Sequence, residues 1–116
     1  KRSAQSLWML LAQDMQGRIW LEKRPARGIW AGLHSLPVFD SRALLLEVLQ
    51  PDERSRATDE ATFVHVLTHK DLHLHPVLLG GLEPRVLSET GRWLARSEWE
   101  PLGLPAPVRK RLLQFD

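Results

Sequence analysis

The sequence predicts an α+β domain, a mixed β-sheet flanked by helices and folded as one unit over residues 1–116. Three observations lead there. Apolar runs of strand length come in two pairs, Leu7–Gln13 with Arg18–Lys23 and Phe63–Thr68 with Leu72–Leu79, each joined by a short polar turn. Two other stretches, Ala43–Leu49 and the segment after Pro107, are patterned for helices. With 116 residues, 43% hydrophobic and 26% charged, the chain suits one domain with its own core.

The first pair reads as a β-hairpin around Asp14-Met15-Gln16-Gly17, where Gly17 supplies the positive φ that such a turn often needs. Pro25 to Ala31 follows as a loop, ended by a short strand over Leu33–Val38. Asp40 or Ser41 is placed to cap the next helix, since a side-chain oxygen there accepts from a backbone N–H that has no helical partner. Ala43–Leu49 is apolar almost throughout and predicts a helix buried against the sheet. Pro51–Glu60 is polar and charged, and is expected to be a mobile loop.

In the second pair, Phe63, His65 and Leu67 alternate against Val64, Val66 and Thr68, and Leu72, Leu74 and Pro76 alternate against His73, His75 and Val77. Gly80-Gly81 is expected to end that pair, Trp93–Ala95 to form a short strand, and Glu98–Leu104 to be irregular. Pro107 suits the first turn of a last helix with Val108, Leu112 and Phe115 on one face. Trp8, Trp20 and Trp93 are expected to be packing residues.

Composition narrows the possible functions. No apolar run reaches the about 18 residues of a membrane span, and no secretory signal pattern opens the chain. Cys is absent, which removes disulfides, thiolate metal ligands and thiol nucleophiles. Lys and Arg number 16 against 14 Asp and Glu, a net charge of +2, so a strongly basic nucleic-acid surface is not implied. The chain opens on Lys rather than Met, and is expected to be part of a longer protein.

Three segments carry a resemblance: Glu22 to Pro37 (EKRPARGIWAGLHSLP), Phe63 to Val77 (FVHVLTHKDLHLHPV) and Gly103 to Lys110 (GLPAPVRK). Together they resemble the C-terminal, MutT-like domain of the MutY adenine DNA glycosylases, in order and over nearly the whole chain. The resemblance implies a Nudix-like fold that reads 8-oxoguanine opposite adenine in base excision repair and is itself non-catalytic. It implies no cofactor in this domain. A separate N-terminal helix-hairpin-helix domain would carry the catalytic carboxylates and an iron–sulfur cluster. The partners implied are double-stranded DNA containing 8-oxoguanine:adenine and that catalytic domain, with no membrane. The setting expected is a bacterial cytoplasm, at the nucleoid.

Within the resemblance, Leu67-Thr68-His69 aligns with the family's Phe-Ser-His or Phe-Thr-His loop. The chemistry is coherent, because 8-oxoguanine turns position 7 from an acceptor into a donor, and the Thr68 hydroxyl can accept from it. Leu67 replaces the family's aromatic residue and leaves an apolar wedge without stacking area. His69 could bond a phosphate or a base edge. His65 and Lys70 flank the tip, and Arg24 and Arg27, with Lys23, are candidates for phosphate contact or docking on the catalytic domain. Arg109, Lys110 and Arg111 are expected to form a solvated face.

Two other chemistries weigh less. A Nudix hydrolase needs clustered Glu for Mg²⁺, and Val38–Gln50 offers only Asp40 and Glu47. Of His65, His69, His73 and His75, the pair His73 and His75 shares a strand face, but no carboxylate except Asp71 is near enough in sequence to complete a zinc set. The alternatives to lesion reading are thus a degenerate nucleotide hydrolase and a docking module without lesion readout.

Overall fold

The computed structural model describes residues 2–115. Eight strands and four short helices follow one another as β1 (Ser3–Asp14), β2 (Ile19–Lys23), β3 (His34–Ser35), β4 (Val38–Phe39), α1 (Arg42–Glu47), α2 (Pro51–Arg56), β5 (Thr58–Asp59), β6 (Phe63–Val66), β7 (Lys70–Leu82), β8 (Gly91–Leu94), α3 (Arg96–Trp99) and α4 (Ala106–Gln114). The strands run in the order β3-β2-β1-β7-β5, with β4 on β1, β6 on β7 and β8 on β2. All pairings are antiparallel except β1 with β7, which are parallel from Ser3↔Lys70 to Asp14↔Leu82. The sheet is mixed, as the sequence predicts.

Because successive residues of a strand point to opposite faces, β1 supplies two cores at once. Leu7, Met9 and Leu11 join Leu72 and Leu74 beneath Val108 and Leu112 of α4. Leu10 and Ala12 join Val77 and Leu79 beneath Leu45 and Leu49. Ser41 is the α1 cap, its hydroxyl accepting from Leu44 N–H at 3.1 Å. Pro107 stands in the first turn of α4, and Phe115 follows the helix against the first core.

Several sequence expectations are corrected. Pro51–Glu60 is not a mobile loop: it forms α2 and β5. Glu53 explains this, since it accepts from Gln50 N–H at 2.8 Å and is buried against the Arg85 guanidinium at 2.5 Å. Burial by itself raises the Glu53 pKa, but the Arg85 hydrogen bond, the Gln50 N–H and the Arg85 and Arg56 charges outweigh it and hold the carboxyl below its ordinary range. Gly80-Gly81 does not end β7. The two glycines oppose Gln13 alone, a bulge with Gly81 at a φ of 68°, and the strand resumes at Leu82. Leu33–Val38 is split into β3 and β4 as the chain passes from β2 to β1. The β8 strand begins two residues earlier than Trp93, and Glu98 belongs to α3. The first hairpin is paired only at Gln13↔Ile19, because further along, the same edge of β1 carries β4 at Trp8 and Met9, and β2 pairs with β3 at Glu22 and Lys23.

Candidate nucleic-acid interface

The second hairpin ends in the turn Leu67-Thr68-His69, which joins β6 to β7. Leu67 N–H donates to Lys70 O at 2.8 Å and closes it. The reciprocal carbonyl, Leu67 O, accepts instead from the Arg2 guanidinium at 2.6 Å. That same guanidinium donates to Thr68 O at 3.0 Å, to Lys70 O at 3.3 Å and to Asp71 Oδ1 at 2.7 and 3.1 Å. Ser3 N–H takes His69 O at 3.2 Å. Every carbonyl from Leu67 to Lys70 is therefore held by Arg2 or by Ser3, the first residue of β1. The Thr68 and His69 side chains are exposed, and neither has a hydrogen-bond partner among the described residues.

The remaining expected site residues divide into two groups. Leu67 packs on the first core beside Phe63, so the wedge is held from below. His65, opposite Leu72, lies on that same half-buried face of β6, while Val64 and Val66 on the other face are 50% and 65% exposed. Lys70 turns back to donate to Gln5 Oε1 at 2.9 Å. Gln5 and Arg24 line one groove of about 670 Å³ between β1, the loop after β2 and α1. Arg27 is exposed on that loop and has no partner among the described residues.

The loop itself is tightly built. Arg24 N–H donates to Leu33 O at 2.7 Å, Gly32 N–H to Pro25 O at 2.9 Å and Leu33 N–H to Trp30 O at 3.1 Å. Trp30 holds a φ of 58°, a left-handed conformation that costs a bulky residue energy and persists only where neighbours enforce it. Ile29 and Trp30 pack on the same core as Leu67.

Arg2, Gln5 and His34 were not among the residues singled out in the sequence, and Asp71 was weighed there only as a zinc ligand. No local pattern marks Arg2, because the parallel β1–β7 pairing joins it to residues 65 to 69 positions away. His34 pairs with Lys23 across β2–β3. Its pKa is lowered, first by burial and then by the Lys23 and Arg92 charges, so the ring favours its neutral form.

The histidines are split between faces. His65 faces the first core, whereas His73 and His75 point to the opposite side, His75 stacked on Trp8 with ring centres 4.3 Å apart and its Nδ1 2.9 Å from Thr62 Oγ1. Among the described residues, no three His, Cys, Asp or Glu side chains are grouped closely enough to hold a metal ion. Asp40 and Glu47 line the 670 Å³ groove, but as two isolated carboxylates rather than a Glu cluster. No helix among the described residues is long and apolar enough to cross a membrane.

Comparison with known proteins places this geometry. The fold superposes on the C-terminal domain of mouse MUTYH, solved in complex with human PCNA, with a TM-score of 0.70 at 16% identity, covering 95% of this chain and 86% of that one. It superposes equally on a MutT NUDIX hydrolase from Burkholderia pseudomallei, with a TM-score of 0.68 at 24% identity, covering 97% and 98%. At these identities the likeness is one of fold. The chain is 28% identical over 106 residues to the adenine DNA glycosylase of Buchnera aphidicola subsp. Schizaphis graminum, and 28% over 107 residues to that of the subspecies Baizongia pistaciae. The alignments cover 86% and 89% of this chain and 30% of each relative, so the chain spans under a third of their length. A model of the NUDIX domain matches residues 7–114, and the chain belongs to the NUDIX domain family.

Proposed function

We propose that this domain is the lesion-recognition part of an adenine DNA glycosylase, reading 8-oxoguanine opposite adenine, and that it is not itself catalytic. The observation that carries the reading is the 67–70 turn. Its backbone is tied down while Thr68 and His69 offer free polar groups beside the apolar Leu67. Thr68 accepts from the protonated position 7 of the lesion, a group that guanine lacks. His69, Lys70, Arg24 and Arg27 contact the phosphates, and His65 supports the tip from the strand beneath it. Phosphate contacts are blind to the base, so discrimination rests on the turn.

Excision belongs to another domain of the same protein, which takes the adenine out of the stack while this one holds the lesion strand. With no Cys, this chain cannot ligate a thiolate-bound iron–sulfur cluster, so any such cluster sits in that other domain. The setting is a bacterial cytoplasm, at the nucleoid, in keeping with the two Buchnera relatives.

The test is the excision rate, in the glycosylase that carries this domain, on duplexes differing only at the guanine. Replacing Leu67, Thr68 and His69 together should collapse the preference for 8-oxoguanine:adenine over guanine:adenine. Thr68→Ala alone should cost about 1 kcal/mol of it, the worth of one hydrogen bond. An unchanged rate ratio in the triple variant removes this reading. The hydrolase alternative draws on Asp40 and Glu47 facing one groove. Mg²⁺-dependent turnover of 8-oxo-dGTP or ADP-ribose that disappears in Glu47→Gln would establish it instead.

A further inference from the structure

We infer that Arg2 is the positioning residue of the lesion-reading turn, and that discrimination depends on its guanidinium although it presents no group to the base. The inference rests on the reading of the 67–70 turn given above. A two-residue hairpin turn is normally closed by two reciprocal backbone bonds between its flanking residues. Here only one exists, Leu67 N–H to Lys70 O, and the other carbonyl has been handed to Arg2. One planar fork spans three main-chain carbonyls, those of Leu67, Thr68 and Lys70, and is itself held by Asp71 Oδ1.

Two consequences follow from the chemistry of that fork. Guanidinium has five N–H donors in a fixed plane and cannot lose its charge, so it can hold several acceptors in one geometry where an ammonium cannot. And because the turn's backbone acceptors all point back to Arg2 and to Ser3 N–H, the backbone groups left over at Thr68 and His69 are N–H donors without an acceptor among the described residues. The tip therefore meets its ligand ordered in advance, with its backbone acceptors withdrawn and its backbone donors and the Thr68 hydroxyl presented. Ordering done before binding is not charged against affinity at the moment of contact. Arg2 and Asp71 are each partly exposed, with side-chain exposures of 46% and 34%, so the pair contributes little to global stability, which separates the positioning role from a structural one.

The experiment compares wild type, Arg2→Ala, Arg2→Lys and Asp71→Asn in the 116-residue chain by amide exchange, NMR titration with short duplexes and thermal unfolding. Arg2→Ala should speed exchange of the Leu67 and Ser3 amides about tenfold, the loss expected for a charge-assisted contact, while Tm barely moves. Lesion-specific shifts at Thr68 and His69 should vanish with it. Arg2→Lys should keep the charge and the salt dependence of binding yet lose the lesion-specific shifts, and Asp71→Asn should fall between. If Arg2→Ala leaves the two amides and the lesion-specific shifts as they are in wild type, the inference is overturned. If exchange quickens in Arg2→Ala but the lesion-specific shifts survive, the positioning role is overturned and the reading of the turn stands. If wild type itself shows no difference between 8-oxoguanine:adenine and guanine:adenine duplexes at Thr68 and His69, the reading of the turn has failed, and the role of Arg2 in discrimination falls with it.

Discussion

The two turns that end the two strand pairs are built on opposite plans. At Asp14–Gly17 the bonds are local apart from Met15 N–H, which donates to Leu82 O of β7 at 2.9 Å. The Asp14 carboxylate, buried at 3% exposure, accepts from Gln16 N–H at 2.9 Å, from Arg18 N–H at 2.8 Å and from the Arg18 guanidinium at 2.7 Å, and Gly17 carries a φ of 84°. At Leu67–Lys70 the turn's own residues supply one bond, and the rest comes from Arg2 and Ser3 at the far end of the chain. The first turn spends the Asp14 carboxylate on its own backbone, and Gln16 is the exposed polar side chain that remains. The second delegates its closure, which leaves Thr68 and His69 unengaged. A turn freed for binding has to be held by something other than its own side chains.

That contrast is breakable in order of effect. Asp14→Ala should be the most damaging change, since it orphans two backbone N–H groups and the Arg18 charge at once. We expect a loss of about 2 kcal/mol and a fall of roughly 8 °C in Tm, measured by thermal unfolding. A loss below that for a surface substitution would show the turn to be closed by Gly17 alone.

The second prediction is acid sensitivity from the same group. Burial raises the Asp14 pKa and is the largest single influence, but the Arg18 and Gln16 N–H bonds and the Arg18 guanidinium together bring it below its usual value. A carboxyl depressed in the fold adds stability that is fully present above its unfolded pKa and is lost as pH falls through its folded one. Stability should therefore drop as pH goes below about 4, the unfolded carboxylate value, and Asp14→Asn should flatten that drop while Glu53, which shifts in the same direction, keeps part of it. An Asp14→Asn profile parallel to wild type would contradict the assignment.

Arg2→Ala comes third, with a stability cost under about 1 kcal/mol because the pair is exposed, yet with measurable loosening of the 67–70 turn alone. A large, global loss of stability would make Arg2 a structural residue and erase the difference between the two turns. The smallest effect on folding belongs to Thr68→Ala, within about 0.5 kcal/mol, the usual range for a surface side chain with no internal partner. Its consequence should lie wholly in the excision-rate ratio between lesion and normal duplexes.

The distinction between the turns also decides what could be read in advance. The sequence by itself determined the strand alternation, the helix after Pro107, the place of both turns and the polar tip Thr68-His69, because each depends on periods and turn chemistry within a few residues. It also determined that Val38–Gln50 lacks the clustered Glu of a hydrolase. What it missed shares one cause. Pro51–Glu60 looked like loop because its burial depends on Glu53 meeting Arg85, 32 positions later. Gly80-Gly81 looked like a terminator because a bulge exists only relative to Gln13 on the partner strand. The first hairpin looked fully paired because nothing local shows that β4 takes that edge of β1 and β3 the end of β2. Arg2 looked like nothing, since only the parallel pairing of β1 and β7 sets a guanidinium at position 2 against carbonyls at 67, 68 and 70. Local propensity and turn chemistry act through neighbours in the chain and are written there, whereas bonds closed across a sheet depend on which strands meet, and that was decided only by the tertiary structure.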